Sequence, residues 1–134
     1  MGLFSGKRPD DLGAKDGRLK PPPGSPNAVS SQAQDASHAI APLSYGGSPA
    51  RAMDALVAII KSTPRTHIIA QTNDYVYAEY ESALMGFVDD VEFWFEPNAK
   101  VIHVRSASRL GYSDFGVNRA RIEDIRRKLA VSGP

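Results

Sequence analysis

Between Arg105 and Arg121, Arg105, Arg109 and Arg119 are interleaved with Ser106, Ser108, Asp114 and Asn118, around Gly111 and Gly116. Guanidinium and hydroxyl groups beside a helix N-terminus suit a phosphate or carboxylate, because the first helical N–H groups lack intrahelical partners. Glycines there permit tight turns and close backbone approach. The same residues could instead hold a corner where the chain leaves a sheet. Asp114 would then accept backbone or arginine donors, and the serines would satisfy the departing backbone. Residue types alone leave both readings open.

Other chemistries are less well served. There is no cysteine, which excludes disulfides, thiol catalysis and thiolate metal sites. Asp89, Asp90, Glu92 and His103 suggest a metal cluster, but strand alternation sends Asp89 and Asp90 to opposite faces. Ser106 or Ser108, His103 and Asp114 could be assembled into a nucleophilic set. His103 should face away from both serines, however, and no nucleophile-elbow motif is present. Phosphate-loop and dinucleotide fingerprints are absent too. No metal or other cofactor is expected.

Charge is unevenly spread. Thr66 to Val104 carries seven acids and one base, Lys100, whereas Arg105 to Lys128 carries seven bases and three acids. Either an acidic sheet is paired internally with basic flanks, or an acidic-aromatic binding face lies beside a basic rim. The net charge of +1 points to neither a nucleic-acid nor a membrane partner. No apolar run approaches the roughly 20 residues of a membrane span. The first residues lack a secretory signal core, and Gly6 stands where a myristoylation signal wants Ser or Thr. A cytoplasmic location is the expectation.

Several elements must position these groups. Ser48 and Pro49 start a helix as N-cap and first residue, and Met53, Leu56, Val57 and Ile60 give it one apolar face. Pro64 ends it. "THIIAQT" and "YVYAEYES" flank Asn73-Asp74 as a tight hairpin. "VDDVEFWFEP" alternates, and "KVIHVRSAS" returns after a turn. A four-residue loop from Pro97 to Lys100 sets Phe95 opposite Ile102, Phe93 opposite Val104, and Val91 opposite Ser106. On the other face it sets Trp94 opposite His103 and Glu92 opposite Arg105. A one-residue slip would spoil both faces at once. Asn118 is the expected N-cap of a last helix. Val117 and Ile122 would form a staple, and Ile122, Ile125 and Leu129 the buried stripe.

"SHAIAPL", Ser37 to Leu43, reads as a short edge strand ended by Pro42. The expected fold is a two-layer α+β sandwich in the order β-α-β-β-β-β-α. Its four- or five-stranded antiparallel sheet carries both helices on one face. That order resembles one half of the TATA-binding-protein fold. The other sheet face should be largely open, with Tyr75, Tyr77, Trp94 and His103 as candidate anchors for a protein partner.

Residues 1 to about 35 are rich in glycine, proline and charge and poor in large apolar residues. They form either a free arm or an extended strap. "FVDDVEFWFEPNAKVIHVRSASRLGYSDFGVNRARIEDIR" and "SPNAVSSQAQD" resemble the DUF1499 family, a domain of unknown function found in bacteria and plastid-bearing eukaryotes. The resemblance runs from about Leu19 to Leu129. It implies that the strap is ordered. The expected division is a flexible arm at 1–18, a packed strap at 19–45 and an α+β domain at 46–130. The family motif commonly reads Pro-Asn-Cys-Val-Ser-Ser, and Ala28 replaces its cysteine here. A redox or metal role for that cysteine in relatives could not be shared. The resemblance implies no activity.

The leading functional expectation is a non-enzymatic binding module. Its Arg105, Ser106, Ser108, Arg109, Asp114, Asn118 and Arg119 would hold a small anion or acidic group. The alternative is a protein-interaction module using the acidic-aromatic sheet face. Hydrolysis and nucleic-acid binding rank below both, the latter because a phosphate backbone demands a basic surface.

Overall fold

The structure is a computed structural model that describes residues 4–111 and 113–132. Eight elements follow in chain order. They are β1 (Ala28–Ser30), β2 (Leu43–Ser44), α1 (Pro49–Lys61), β3 (Thr66–Gln71), β4 (Tyr75–Glu81), β5 (Val88–Phe95), β6 (Val101–Ser108) and α2 (Val117–Val131). The α+β class holds. The order gains one strand, and the sheet has six strands rather than four or five.

Strands β3 to β6 form an antiparallel meander. Phe95 pairs with Ile102, Phe93 with Val104, Val91 with Ser106, Trp94 with His103 and Glu92 with Arg105, as expected. Apolar residues therefore share one face, where Val76, Ala78, Val91, Phe93, Ile102 and Val104 are buried beneath the helices. The free edge of β6 takes two short strands end to end. Ala28 to Ser30 lie against Ala107 to Arg105, and Leu43 and Ser44 lie against Ile102 and Val101. The edge strand expected at 37–43 is thus displaced. Pro42 has no N–H to donate, strand pairing resumes only at Leu43, and Ala39 makes a single parallel bridge to Ser30.

Helix α1 begins as expected. The Ser48 hydroxyl accepts the Arg51 N–H at 3.2 Å, with Pro49 in the first position. Met53, Leu56 and Ile60 are buried, joined by Ala52 and Ile59, while Val57 sits at the margin of the core. Helix α2 departs from expectation at its start. Gly116, with φ 82°, is the N-cap, and Asn118 lies inside the first turn. Asp114 supplies the capping carboxylate, accepting the N–H groups of Gly116 and Asn118 at 2.9 Å each. Val117 is half exposed and stands inside the helix rather than before its N-cap, whereas Ile122, Ile125 and Leu129 form the buried stripe.

The second sheet face is not open. Residues 4–23 cross it strand by strand. Arg8 pairs with Glu79 of β4 at 2.6 Å, and the Gly13 N–H donates to Glu92 of β5 at 2.7 Å. Gly17 passes Trp94, and Arg105 of β6 donates to the Lys20 and Pro21 carbonyls at 2.9 and 3.3 Å. Phe4 stacks on Phe87, and Leu19 is buried. The described part of the segment read as a free arm is therefore laid along the sheet. Extended chain can lie on so polar a face because side-chain carboxylates and arginines there satisfy its backbone groups.

Candidate functional site

The seven corner residues divide among three places. Arg105 and Arg109 point to the strap-covered face. The Arg109 guanidinium is 3% exposed and pairs with Asp90 at 2.8 Å and with Glu79. Asp90, with Glu79 behind it, pushes Arg109 above its ordinary pKa against the opposing effect of burial. Burial pulls Arg105 below its ordinary value, opposed by Glu92 and Asp90.

Ser106, Ser108, Asp114 and Asn118 meet on the helix face. The fully buried Asn118 joins them. Its amide oxygen accepts from the Ser106 hydroxyl at 2.6 Å and from Arg121 at 2.8 Å. Its amide nitrogen donates to Asp114 at 2.7 Å, Ser108 at 3.0 Å and the Asn27 carbonyl at 3.2 Å. Burial works to raise Asp114, but the Asn118 and Gly116 donors outweigh it and hold the carboxyl below its usual range. Arg119 turns elsewhere, donating to the Ala39 and Ser37 carbonyls at 2.8 and 3.3 Å. The three arginines named from the sequence therefore do not converge.

The anchors expected on an open face are also engaged. Tyr75 donates to Glu92, and Tyr77 to Asp90, at 2.5 Å each. Burial, followed by those carboxylates, pushes both phenols up. Trp94 stacks on His103 at 5.8 Å between ring centroids. His103 bridges Ser31, at 3.1 Å from Nδ1, and Glu96, at 2.9 Å from Nε2. That serine–histidine–carboxylate chain was not read from the sequence, since Ser31 lies 72 positions from His103. The Ser31 hydroxyl oxygen also accepts the Val104 N–H at 2.8 Å. The group thus fastens the strap to β6.

What the corner does build is a cavity of about 580 Å³ where the start of α2 meets the ends of β4, β5 and β6. Its buried members are Tyr80, Val88, Asp89 and Ile125; Phe87, Leu110, Phe115 and Val117 are exposed around it, Phe115 at 95%. Ser108, Asp114 and Arg121 are among its polar lining, with Arg65, Glu81 and Asp124. Arg121 pairs with Asp89 at 2.8 Å, donates to Ser106 at 3.1 Å and lies 4.7 Å above the Tyr80 ring. The Tyr80 hydroxyl is buried with no hydrogen-bond partner among the described residues. Burial pushes this phenol up to about 12, so it remains a donor at neutral pH. Strand alternation had separated Asp89 from Asp90. That was the signal for an acid on the helix face needing a basic partner, but nothing in the sequence named Arg121 as that partner.

A six-stranded sheet with two helices on one face and an extended segment on the other defines a single α+β domain. A family model described as "Protein of unknown function (DUF1499)" matches residues 18–129, and the chain belongs to that family. Comparison with curated proteins and with solved structures finds no match. Ala28 is buried on β1 opposite Ala107.

Proposed function

We propose that the domain is a non-enzymatic binding module whose site is the cavity beside the α2 N-terminus. The observation that carries this reading is the cavity itself, rimmed by the exposed apolar side chains of Phe87, Leu110, Phe115 and Val117. The volume of about 580 Å³ falls within the roughly 300–1,000 Å³ of small-molecule sites. Phe87, Leu110, Phe115 and Val117 around it supply apolar surface that has no use in the core.

The binding-module expectation is kept, while its ligand and residues change. Arg105, Arg109 and Arg119 are occupied by carboxylates and backbone carbonyls of this chain, so an anion at those groups has little to gain. The acidic-aromatic face lies beneath the chain's own N-terminal segment, which argues against the protein-interaction reading. Titration with toluene and indole, followed by amide NMR, tests the proposal. Shifts centred on Phe87, Leu110 and Val117 are expected, and they should be lost in Val117→Trp, which places a large ring in the half-exposed wall. Shifts scattered over the surface, or unchanged in that variant, would overturn it.

A further inference from the structure

We propose that the cavity takes a small zwitterion on an apolar body, an α-amino acid with a large apolar side chain, its carboxylate meeting Arg65 and its ammonium meeting Glu81. This deepens the binding reading above and rests on it.

The charged residues lining the cavity are Arg65, Glu81, Asp89, Asp114, Arg121 and Asp124. Most are committed within the chain. Asp89 pairs with Arg121 at 2.8 Å, and Asp124 with Arg127 and Lys128 at 2.9 Å each. Asp114 accepts the N–H groups of Gly116 and Asn118. Arg65 and Glu81, one charge of each sign, make no side-chain hydrogen bond or ion pair among the described residues, although both line the cavity. Backbone geometry accounts for this. The Glu81 N–H donates to the Arg65 carbonyl at 2.9 Å, one step beyond the pairing of Thr66 with Tyr80. Opposite charges so placed on a regular ladder would pair. Arg65 instead has φ 55°, a left-handed backbone that takes it off the ladder. The two charges are thus held at about one strand spacing, roughly 5 Å between α-carbons, without cancelling each other. A carboxylate alone would meet Arg65 but stand against Glu81, and an ammonium alone the reverse. A molecule with both charges on neighbouring atoms answers both. The apolar rim begins beside Glu81, where the Ser82 N–H donates to the Phe87 carbonyl at 2.8 Å. Phe87, Leu110, Phe115 and Val117 then cover the apolar body.

The test is a matched series of phenylalanine, phenylpropanoate and phenethylamine, titrated against the full chain and against Arg65→Gln and Glu81→Gln. Phenylalanine should bind about fivefold or more tightly than either singly charged analogue. Arg65→Gln should weaken phenylalanine by about threefold or more and spare phenethylamine. Glu81→Gln should weaken it as much and spare phenylpropanoate. Neither change should lower the melting temperature of the ligand-free protein, because neither side chain holds the fold. Equal or tighter binding of either analogue, no binding of phenylalanine, phenylalanine affinity unchanged in either variant, or equal weakening of all three ligands would overturn the ligand class. Toluene and indole carry no charge, so their titration reads the cavity itself separately.

Discussion

Asn118 is fully buried, yet both its amide oxygen and its amide nitrogen are in use, and the groups they reach come from the strap, β6, the corner and α2. Its residue type is the one a helix N-cap needs, which is why the sequence suggests that role. Neighbouring polar groups decide otherwise. Asp114 already caps the helix from two residues before Gly116, so the amide is free to serve the interior. Replacing Asn118 by alanine leaves Ser106, Ser108 and Arg121 each short of a partner in a buried setting. Asn118→Ala should destabilise the domain by about 2–4 kcal/mol, read as a lowered urea midpoint with an unchanged m-value. A cost under about 0.5 kcal/mol would show that the corner does not depend on this residue. Tyr80 presents the opposite case, a buried hydroxyl that the fold leaves unmet.

At the scale of elements, α1 and the β5–β6 hairpin follow local rules. Ser48 and Pro49 start the helix, and strict alternation sets the register of Phe93 against Val104. The strap follows none of them. Residues 4–23 have almost no regular structure, and their contacts reach across the molecule, with Gly13 and Glu92 separated by 79 positions. The strap is held mainly by hydrogen bonds and ion pairs, with Phe4 and Leu19 as its apolar contacts. Removing residues 1–18 should therefore leave the sheet and helices folded while lowering stability by on the order of 2 kcal/mol. Amide exchange would check this, with protection retained at Phe93 and at Arg105, whose backbone lies between β1 and β5 and whose guanidinium still reaches Lys20 and Pro21. Loss of protection throughout β5 would instead make the strap part of the folding core.

For the molecule as a whole, the uneven charge of the sequence is resolved internally. The acids of β4 and β5 meet bases from the flanks: Glu79 with Arg8 and Arg109, Asp90 with Arg109, and Asp89 with Arg121. No helix among the described residues is long and apolar enough to cross a membrane. The pairings give stability a pH window. Burial works to raise Glu79, but Arg8 and Arg109 together hold it low, and Asp114 is held low as well. Their contributions are present above the usual carboxylate values of about 4 and fade as pH falls through the lowered folded values. His38 behaves in the opposite sense. Its ring nitrogens face the Ser25 carbonyl at 2.8 Å and Asp35 at 2.5 Å, both acceptors. The carbonyl first, and then the carboxylate, raise its pKa against burial. That contribution is complete below about 6.5 and is lost as pH rises through the raised folded value. Urea midpoints measured from pH 3 to 9 should fall at both ends, and His38→Gln should flatten the alkaline limb, with a smaller change in the acid limb because Asp35 keeps Ser37 but loses His38. An unchanged alkaline limb would remove His38 from the account.

Some of this protein is written in short-range pattern. The two helices, the four-strand meander, the pairing of Trp94 with His103 and the separation of Asp89 from Asp90 all follow from residues a few positions apart, because alternation and helical periodicity are properties of the local backbone. The partners of Arg105, Arg109 and Arg119 are not local. An arginine binds any carboxylate or carbonyl that the fold brings within reach, and only the tertiary structure brought Lys20, Glu79 and Ala39 there. The cavity is decided at that level as well. Ser108, Asp114 and Val117 come from the corner, but Tyr80, Asp89 and Arg121 reach it from three separate elements. A cavity is the space left between packed elements, and no stretch of sequence encodes that space alone.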